Sequence, residues 1–206
     1  MNFYSQVCRP TGLQGIIMAR RMNSNHQGMM RWALERMDVS SVIDVLDMGC
    51  GGGGPLSMLS ERTPQARFVA LDLSKAMLRM TCKVNPDLFS RRRLRTVQGS
   101  VASLPLQDAS FDMVLACETS YFWPDLAENL KECRRVLRGD GRLFLVQETW
   151  DAPQWKERNE SWQKGFQMKF QSLEGYRSLL EQAGFARVLT FTEEDEGWFV
   201  MEAHCE

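Results

Sequence analysis

The stretch best placed to do chemistry in this 206-residue chain is Leu46-Asp47-Met48-Gly49-Cys50-Gly51-Gly52-Gly53-Gly54-Pro55. Glycines after a strand let the backbone turn sharply and approach a ligand with no side chain in the way. A helix opened by Pro55 would offer free N–H groups beside them. Gly49, Gly51 and Gly54 satisfy the dinucleotide spacing G-x-G-x-x-G, and Asp72 follows about twenty residues later, where a carboxylate would bind a nicotinamide ribose. Gly49, Gly51 and Gly53 equally satisfy a D-x-G-x-G-x-G spacing headed by Asp47. The loop alone is compatible with either ligand.

Two features separate them. A dehydrogenase is expected to carry a further substrate domain, for which 206 residues leave little room. Asp47, just before the glycines, would repel a pyrophosphate. A cofactor bearing an ammonium and a sulfonium, such as S-adenosylmethionine, would be attracted by the same carboxylate.

A second chemical stretch is Cys117-Glu118-Thr119-Ser120-Tyr121-Phe122-Trp123-Pro124. Three consecutive aromatics are unusual in a plain connector. Tyr121, Phe122 and Trp123 are expected either to wall an apolar or aromatic substrate or to pack the loop against the N-terminal helices. Glu118 is a candidate general base or substrate-orienting group, and Glu148, at the end of the fifth expected strand, the same from the other side. His26, as a neutral imidazole, is a candidate base or a structural residue.

These residues need a frame, and the chain alternates strand and helix patterns. Strands are expected at 42–47, 67–72, 94–98, 111–116 and 142–146, then at 186–192 and 198–203, with an acidic loop joining the last two. Ser74 is expected to cap a helix from Lys75 to about Val84. Pro124 is expected to open a helix with a Leu126, Leu130, Cys133, Leu137 stripe that ends at Gly139, and a further helix is expected from about Ser172 to Ala183. Asn25 is expected to cap an N-terminal helix carrying Met29, Met30, Ala33, Leu34 and Met37. The pattern implies an α/β, Rossmann-like doubly wound fold: a seven-stranded, mostly parallel sheet with an antiparallel C-terminal strand, plus N-terminal helices. One domain is expected over 1–206, divided into a helical brace or lid (1–41), a core (42–148), and a helical cover with a closing hairpin (149–206). Trp150, Trp155, Trp162, Phe166 and Phe170 would supply the cover's apolar side.

Composition sets outer bounds. The formal net charge of −1 argues against nucleic-acid binding. Six scattered cysteines, with no zinc-like cysteine–histidine spacing, suggest reduced thiols, a cytoplasmic setting and no metal. No apolar run nears the ~18 residues of a membrane span. The basic stretch Arg91-Arg92-Arg93 with Arg95 reads as a solvated loop or an anion contact.

Four blocks in order resemble the class I S-adenosylmethionine-dependent methyltransferases, nearest the small-molecule subgroup that includes quinone-biosynthesis enzymes. They are Val45 to Gly53; Ala70-Leu71-Asp72-Leu73-Ser74 with Met77; Gly99 to Leu106 running to Phe111-Asp112-Met113-Val114; and Arg135 to Leu143. The resemblance implies S-adenosylmethionine as cofactor and a small-molecule acceptor, possible at O, N, S or C. It further implies that Gly49, Gly51 and Gly53, with Asp47 and Cys50, would line its methionine moiety. Asp72 would accept the ribose hydroxyls, Leu73 and Met77 would pack on the adenine, and Ser100, Val101 and Cys117 would complete the site. Glu118, His26 and Tyr121 are the catalytic candidates. Two departures stand out: Ser100 replaces an acidic residue, and Gly139-Asp140-Gly141 replaces a proline-glycine-glycine turn, which is still expected to form. An NAD(P)-dependent oxidoreductase and a non-catalytic cofactor-binding protein remain the alternatives.

Overall fold

A computed structural model describes residues 12–206; residues 1–11, including Cys8 and the start of the expected brace, lie outside the described residues. Helix α1 (Gly12–Asn25) and α2 (Gln27–Leu34) lead into β1 (Asp44–Met48), α3 (Gly54–Arg62), β2 (Arg67–Asp72), α4 (Lys75–Val84), the short α5 (Pro86–Ser90) and β3 (Leu94–Gln98). There follow β4 (Phe111–Cys117), α6 (Leu126–Val136), β5 (Leu137–Gln147), α7 (Lys156–Phe166), α8 (Leu173–Gln182), β6 (Arg187–Glu193) and β7 (Trp198–His204). Single 3₁₀ turns occupy Ser120–Phe122 and Pro153–Trp155.

The seven strands form one sheet in the order β3-β2-β1-β4-β5-β7-β6. The first five pair in parallel, and β7 inserts antiparallel to both β5 and β6. Side chains that alternate along the strands fill two cores. Val45, Phe68, Ala70, Met113, Leu115, Phe144 and Val146 face α2 and α3, meeting Met29, Met30, Ala33, Leu34, Leu56 and Leu59. Leu46, Met48, Leu71, Val114, Ala116, Leu143 and Leu145 face α6 and α8, meeting Leu130, Cys133, Val136, Tyr176 and Leu180. Strands covered on both faces read as unbroken apolar runs, as β4 does.

Met29 and Met30 are fully buried. At ~1.5–3 kcal/mol per buried side chain, α2 is anchored to the sheet by several kcal/mol. Ser74 caps α4 as expected, its hydroxyl accepting the Met77 N–H.

Four expectations are corrected. Asn25 ends α1 rather than capping α2, because the chain continues helically up to His26, which takes the cap position of α2 without a side-chain bond. Helix α6 opens at Leu126, capped by the Asp125 carboxylate that accepts the Glu128 N–H, and not at Pro124. Leu137 leaves the helix to start β5, because Phe111 of β4 pairs with it. The Gly139-Asp140-Gly141 turn does not form as a separate connector: β5 bulges there, its pairing with β4 jumping from Leu137 opposite Phe111 to Arg142 opposite Met113. Neither glycine adopts a positive φ.

Candidate active site

The loop after β1 sits at the carboxyl edge of the sheet, between the two strands where the order reverses. Gly49 and Cys50 donate their N–H groups to the Leu71 carbonyl at 2.8 and 3.0 Å, pinning the loop to β2. Gly49, Gly51 and Gly53 have φ of +71°, +50° and +76°. A Cβ on Gly49 would strike the Thr119 side chain, and one on Gly53 would lie 2.8 Å from the Thr81 Cα. The loop's carbonyls are tied as well: Asn23 donates to Gly52, Thr81 to Gly51 and Asn85 to Gly53. The motif reading missed these three supports, because they lie on α1, on α4 and at the C-terminal cap of α4, well away from the glycines in sequence.

Around this loop lies a cavity of about 130 Å³ that opens to solvent at its mouth. Of the expected cofactor residues, Asp47, Gly49, Cys50, Gly51, Asp72, Leu73, Met77, Val101 and Cys117 line it, together with His26 and Glu118. Gly53 supports the loop from behind. Ser100 stands outside the lining, and its hydroxyl accepts the Ala102 N–H at 3.2 Å.

Asp47 is 2 % exposed, and its Oδ2 has no hydrogen-bond partner. Burial, with the nearby Asp72 carboxylate adding to it, pushes Asp47 up to about 7. A buried carboxylate oxygen with nothing to accept is costly, and a cation arriving in the cavity would relieve it. Asp72 accepts the Gly51 N–H on Oδ2 at 3.0 Å and the Ser74 N–H on Oδ1 at 2.7 Å. An ionised carboxylate is an acceptor-only group, the hydrogen-bond sense that a ribose diol requires. Leu73, 48 % exposed at the mouth, and the buried Met77 offer an apolar slot. These residues fit S-adenosylmethionine by charge, by hydrogen-bond sense and by shape.

The far wall carries the acidic end. Glu118 follows β4 with a left-handed φ of +54°, a conformation rare for a side chain of its kind. Its Oε1 accepts the Glu148 N–H at 2.7 Å and its Oε2 accepts the Tyr121 hydroxyl at 2.8 Å. His26 Nε2 stands 3.8 Å from Glu118 Oε2 and 3.9 Å from Glu148 Oε1. Burial pushes Glu118 up to about 7. Burial, then repulsion from Glu118, takes Glu148 to about 8. Burial lowers His26 and keeps its imidazole neutral, although Glu148 opposes the shift.

The aromatic run divides. Phe122 and Trp123 line the cavity, whereas Tyr121 turns beneath it against Phe170 and Met168 and holds Glu118. Of the expected cover, Trp150 and Phe170 are buried, while Trp162 and Phe166 pack partly buried beside Tyr121. Arg158 donates to the Glu148 carbonyl at 3.0 Å and to Thr149 Oγ1 at 2.8 Å, beneath Trp155 and Trp162.

Comparison with known proteins agrees with this geometry. Residues 46–145 match the methyltransferase domain family. The phthiotriol/phenolphthiotriol dimycocerosates methyltransferase 1 of Mycobacterium ulcerans is 34 % identical over 124 residues, covering 60 % of this chain and 44 % of that protein. The fatty-acid O-methyltransferase of Mycolicibacterium smegmatis is 36 % identical over 120 residues, covering 54 % of this chain and 40 % of that one. The chain thus spans less than half the length of either relative. A Thermotoga maritima structure, described as an SAM-dependent methyltransferase and possible histamine N-methyltransferase, superposes with a TM-score of 0.69. At 20 % identity, covering 92 % of this chain and 99 % of that one, it shares the fold. The matches do not favour the oxidoreductase or the binding-only alternative.

Proposed function

From a chain that carries a class I S-adenosylmethionine-dependent methyltransferase domain, we propose that the protein transfers a methyl group to a small acceptor with an apolar or aromatic face. The observation that carries this reading is the buried Asp47 carboxylate with its unpaired oxygen, set against the glycine loop in a cavity that ends on Phe122, Trp123 and Glu118. When bound, S-adenosylmethionine supplies a methyl group already activated on a sulfonium. The chain's own work is then alignment, exclusion of water and care of one proton.

In this reading Asp47 holds the cofactor's ammonium and Asp72 its ribose hydroxyls. Leu73 and Met77 sandwich the adenine, with Val101 near its edge; Ser100, outside the lining, takes no part. Gly49, Gly51, Gly53 and Cys50 shape the methionine end, and Cys117 closes the floor. Phe122 and Trp123 wall the acceptor. Glu118 orients the acceptor or takes its proton, with Tyr121 holding the carboxylate from below and His26 beside it. An apolar acceptor gains support from the fatty-acid O-methyltransferase, which by its name acts on such a molecule. Nucleic acid as acceptor is disfavoured by the charge of −1. Residues 1–206 are taken as one unit working in the cytoplasm, a setting that suits the free cysteines 50, 82, 117, 133 and 205. Among the described residues no helix is long and apolar enough to cross a membrane.

Isothermal titration with S-adenosylmethionine and S-adenosylhomocysteine, with NAD as control, tests the cofactor. Micromolar binding of the sulfur ligands, followed by turnover of a labelled methyl donor in an acceptor screen, is the expected result. Binding of NAD alone would overturn the reading.

A further inference from the structure

Beyond the glycine loop, three side chains from three separate segments converge, two of them, His26 and Glu118, on the cavity wall and the third, Glu148, beside them. His26 comes from the turn between α1 and α2, Glu118 from the end of β4 and Glu148 from the end of β5. β4 and β5 are parallel neighbours, so residues just past their carboxyl ends stand about 5 Å apart, a strand spacing. The sheet thereby forces two carboxylates together, and the helical turn lays an imidazole over them. One ligating atom from each lies within 4.8 Å of the others.

The spacing is informative. At 3.8 and 3.9 Å, His26 Nε2 is too far from either carboxylate for a hydrogen bond. Donors on one metal ion with bonds of ~2.0–2.2 Å lie about 2.9–3.8 Å apart at angles of 90–120°. The two histidine–carboxylate separations sit at the upper edge of that range and the carboxylate–carboxylate one is within 4.8 Å, so movements of up to about an ångström would close the set. Among the described residues, no lysine or arginine lies within ion-pair distance of either carboxylate; the Arg158 guanidinium, bound to the Glu148 carbonyl and the Thr149 hydroxyl, attracts both only from farther off.

The outer contacts fit as well. Ligating carboxylates are themselves hydrogen-bonded in metal sites, and Glu118 is held by the Tyr121 hydroxyl and the Glu148 N–H. One imidazole and two carboxylates, with no thiolate, suit a divalent first-row ion.

We propose that His26, Glu118 and Glu148 form a binding site for a divalent first-row transition-metal ion at the acceptor end of the cavity. The absence of a metal, expected from cysteine–histidine spacing alone, did not weigh a histidine–glutamate set brought together by the sheet. Three protein ligands leave coordination positions open on the cavity side, where an acceptor oxygen or nitrogen can bind. The site itself rests only on these donors; its use in methyl transfer rests on the reading proposed above.

The test titrates chelator-treated protein with Mn²⁺, following the loss of the free-ion electron paramagnetic resonance signal, and with Zn²⁺ by calorimetry, both without methyl donor. One equivalent should bind, and His26→Gln and Glu148→Gln should each weaken it at least about tenfold. Thermal melts and S-adenosylmethionine titrations on the same variants show that they remain folded and report the cofactor site separately. The site is overturned by the absence of saturable binding, or by affinity unchanged in either variant. Metal binding without cofactor binding would instead count against the methyltransferase reading alone.

Discussion

Asp47→Asn should move stability and cofactor affinity in opposite directions. The folded protein raises the Asp47 carboxyl from 3.8 to about 7, chiefly by burial. The native state therefore holds this proton more tightly than the unfolded chain does. Asp47 costs nothing below the unfolded value, and its cost grows as pH rises from about 4 to about 7, then levels off. A shift of roughly three pKa units corresponds to at most about 4 kcal/mol at ~1.4 kcal/mol per unit.

Asparagine keeps the volume and removes the charge. Its new amide donor meets the same unpartnered surroundings as the present Oδ2, so that penalty is nearly independent of pH. The gain over wild type should thus be near zero at pH 4 and largest above pH 7. If half the upper bound is realised, about 2 kcal/mol, the Tm rises by roughly 4–8 °C in a chain of this size. Truncating one partner of a buried charge pair costs about 2–5 kcal/mol, so S-adenosylmethionine affinity should fall at least about thirtyfold. Differential scanning calorimetry from pH 4 to 8 and calorimetric titration at pH 8 read the two effects. A stability difference that does not change with pH, or an affinity within threefold of wild type, refutes the reasoning.

Three further substitutions probe the frame. Asp72→Ala should abolish measurable cofactor binding and also lower stability by about 1–3 kcal/mol, since it strips the acceptor from the Gly51 and Ser74 N–H groups; titration and urea unfolding read the two losses. Gly49→Ala combines a φ of +71° with a collision against Thr119, and should cost about 2 kcal/mol or more in the same unfolding assay. Tyr176→Phe removes the hydroxyl that donates to the fully buried Gln147 Oε1 at 3.0 Å. It should cost about 1–3 kcal/mol while leaving cofactor affinity unchanged, a contrast that calorimetric titration would expose.

Some of this architecture was legible in the chain because local and tertiary signals agree. β2 and β3 have the expected bounds, and Ser74 caps α4 where its hydroxyl predicts. Disagreement arose where a long-range partner decided the outcome. Leu137 fits the α6 stripe, yet Phe111 draws it into the sheet. Gly139-Asp140-Gly141 looks like a turn, but strand pairing resumes at Arg142 and makes it a bulge. The aromatic run split for a local reason. A 3₁₀ turn rotates successive side chains by about 120°, so Tyr121 and Phe122 cannot share one wall.

The candidate site follows the same division. The glycine loop with Asp47 and Asp72 is readable, since its chemistry lies on two short segments joined by one βαβ unit. The convergence of His26 with Glu118 and Glu148 is not, because it needs the β4–β5 adjacency and the tilt of the N-terminal helices at once. Both acidic centres also break rules that the rest of the chain obeys. Asp47 is a buried carboxylate with an orphan oxygen, and Glu118 is a non-glycine residue in the left-handed region. Asp47 lies near the end of β1 and Glu118 directly after β4, central strands that are each paired on both sides. Such strands can hold an unfavourable residue at their carboxyl ends against relaxation, at ~1–3 kcal/mol for the backbone alone. On the two proposals above, each of these costs is offset when a cation arrives, the cofactor's ammonium at Asp47 and a metal ion at Glu118, so ligand binding should stabilise the protein as well as occupy the cavity.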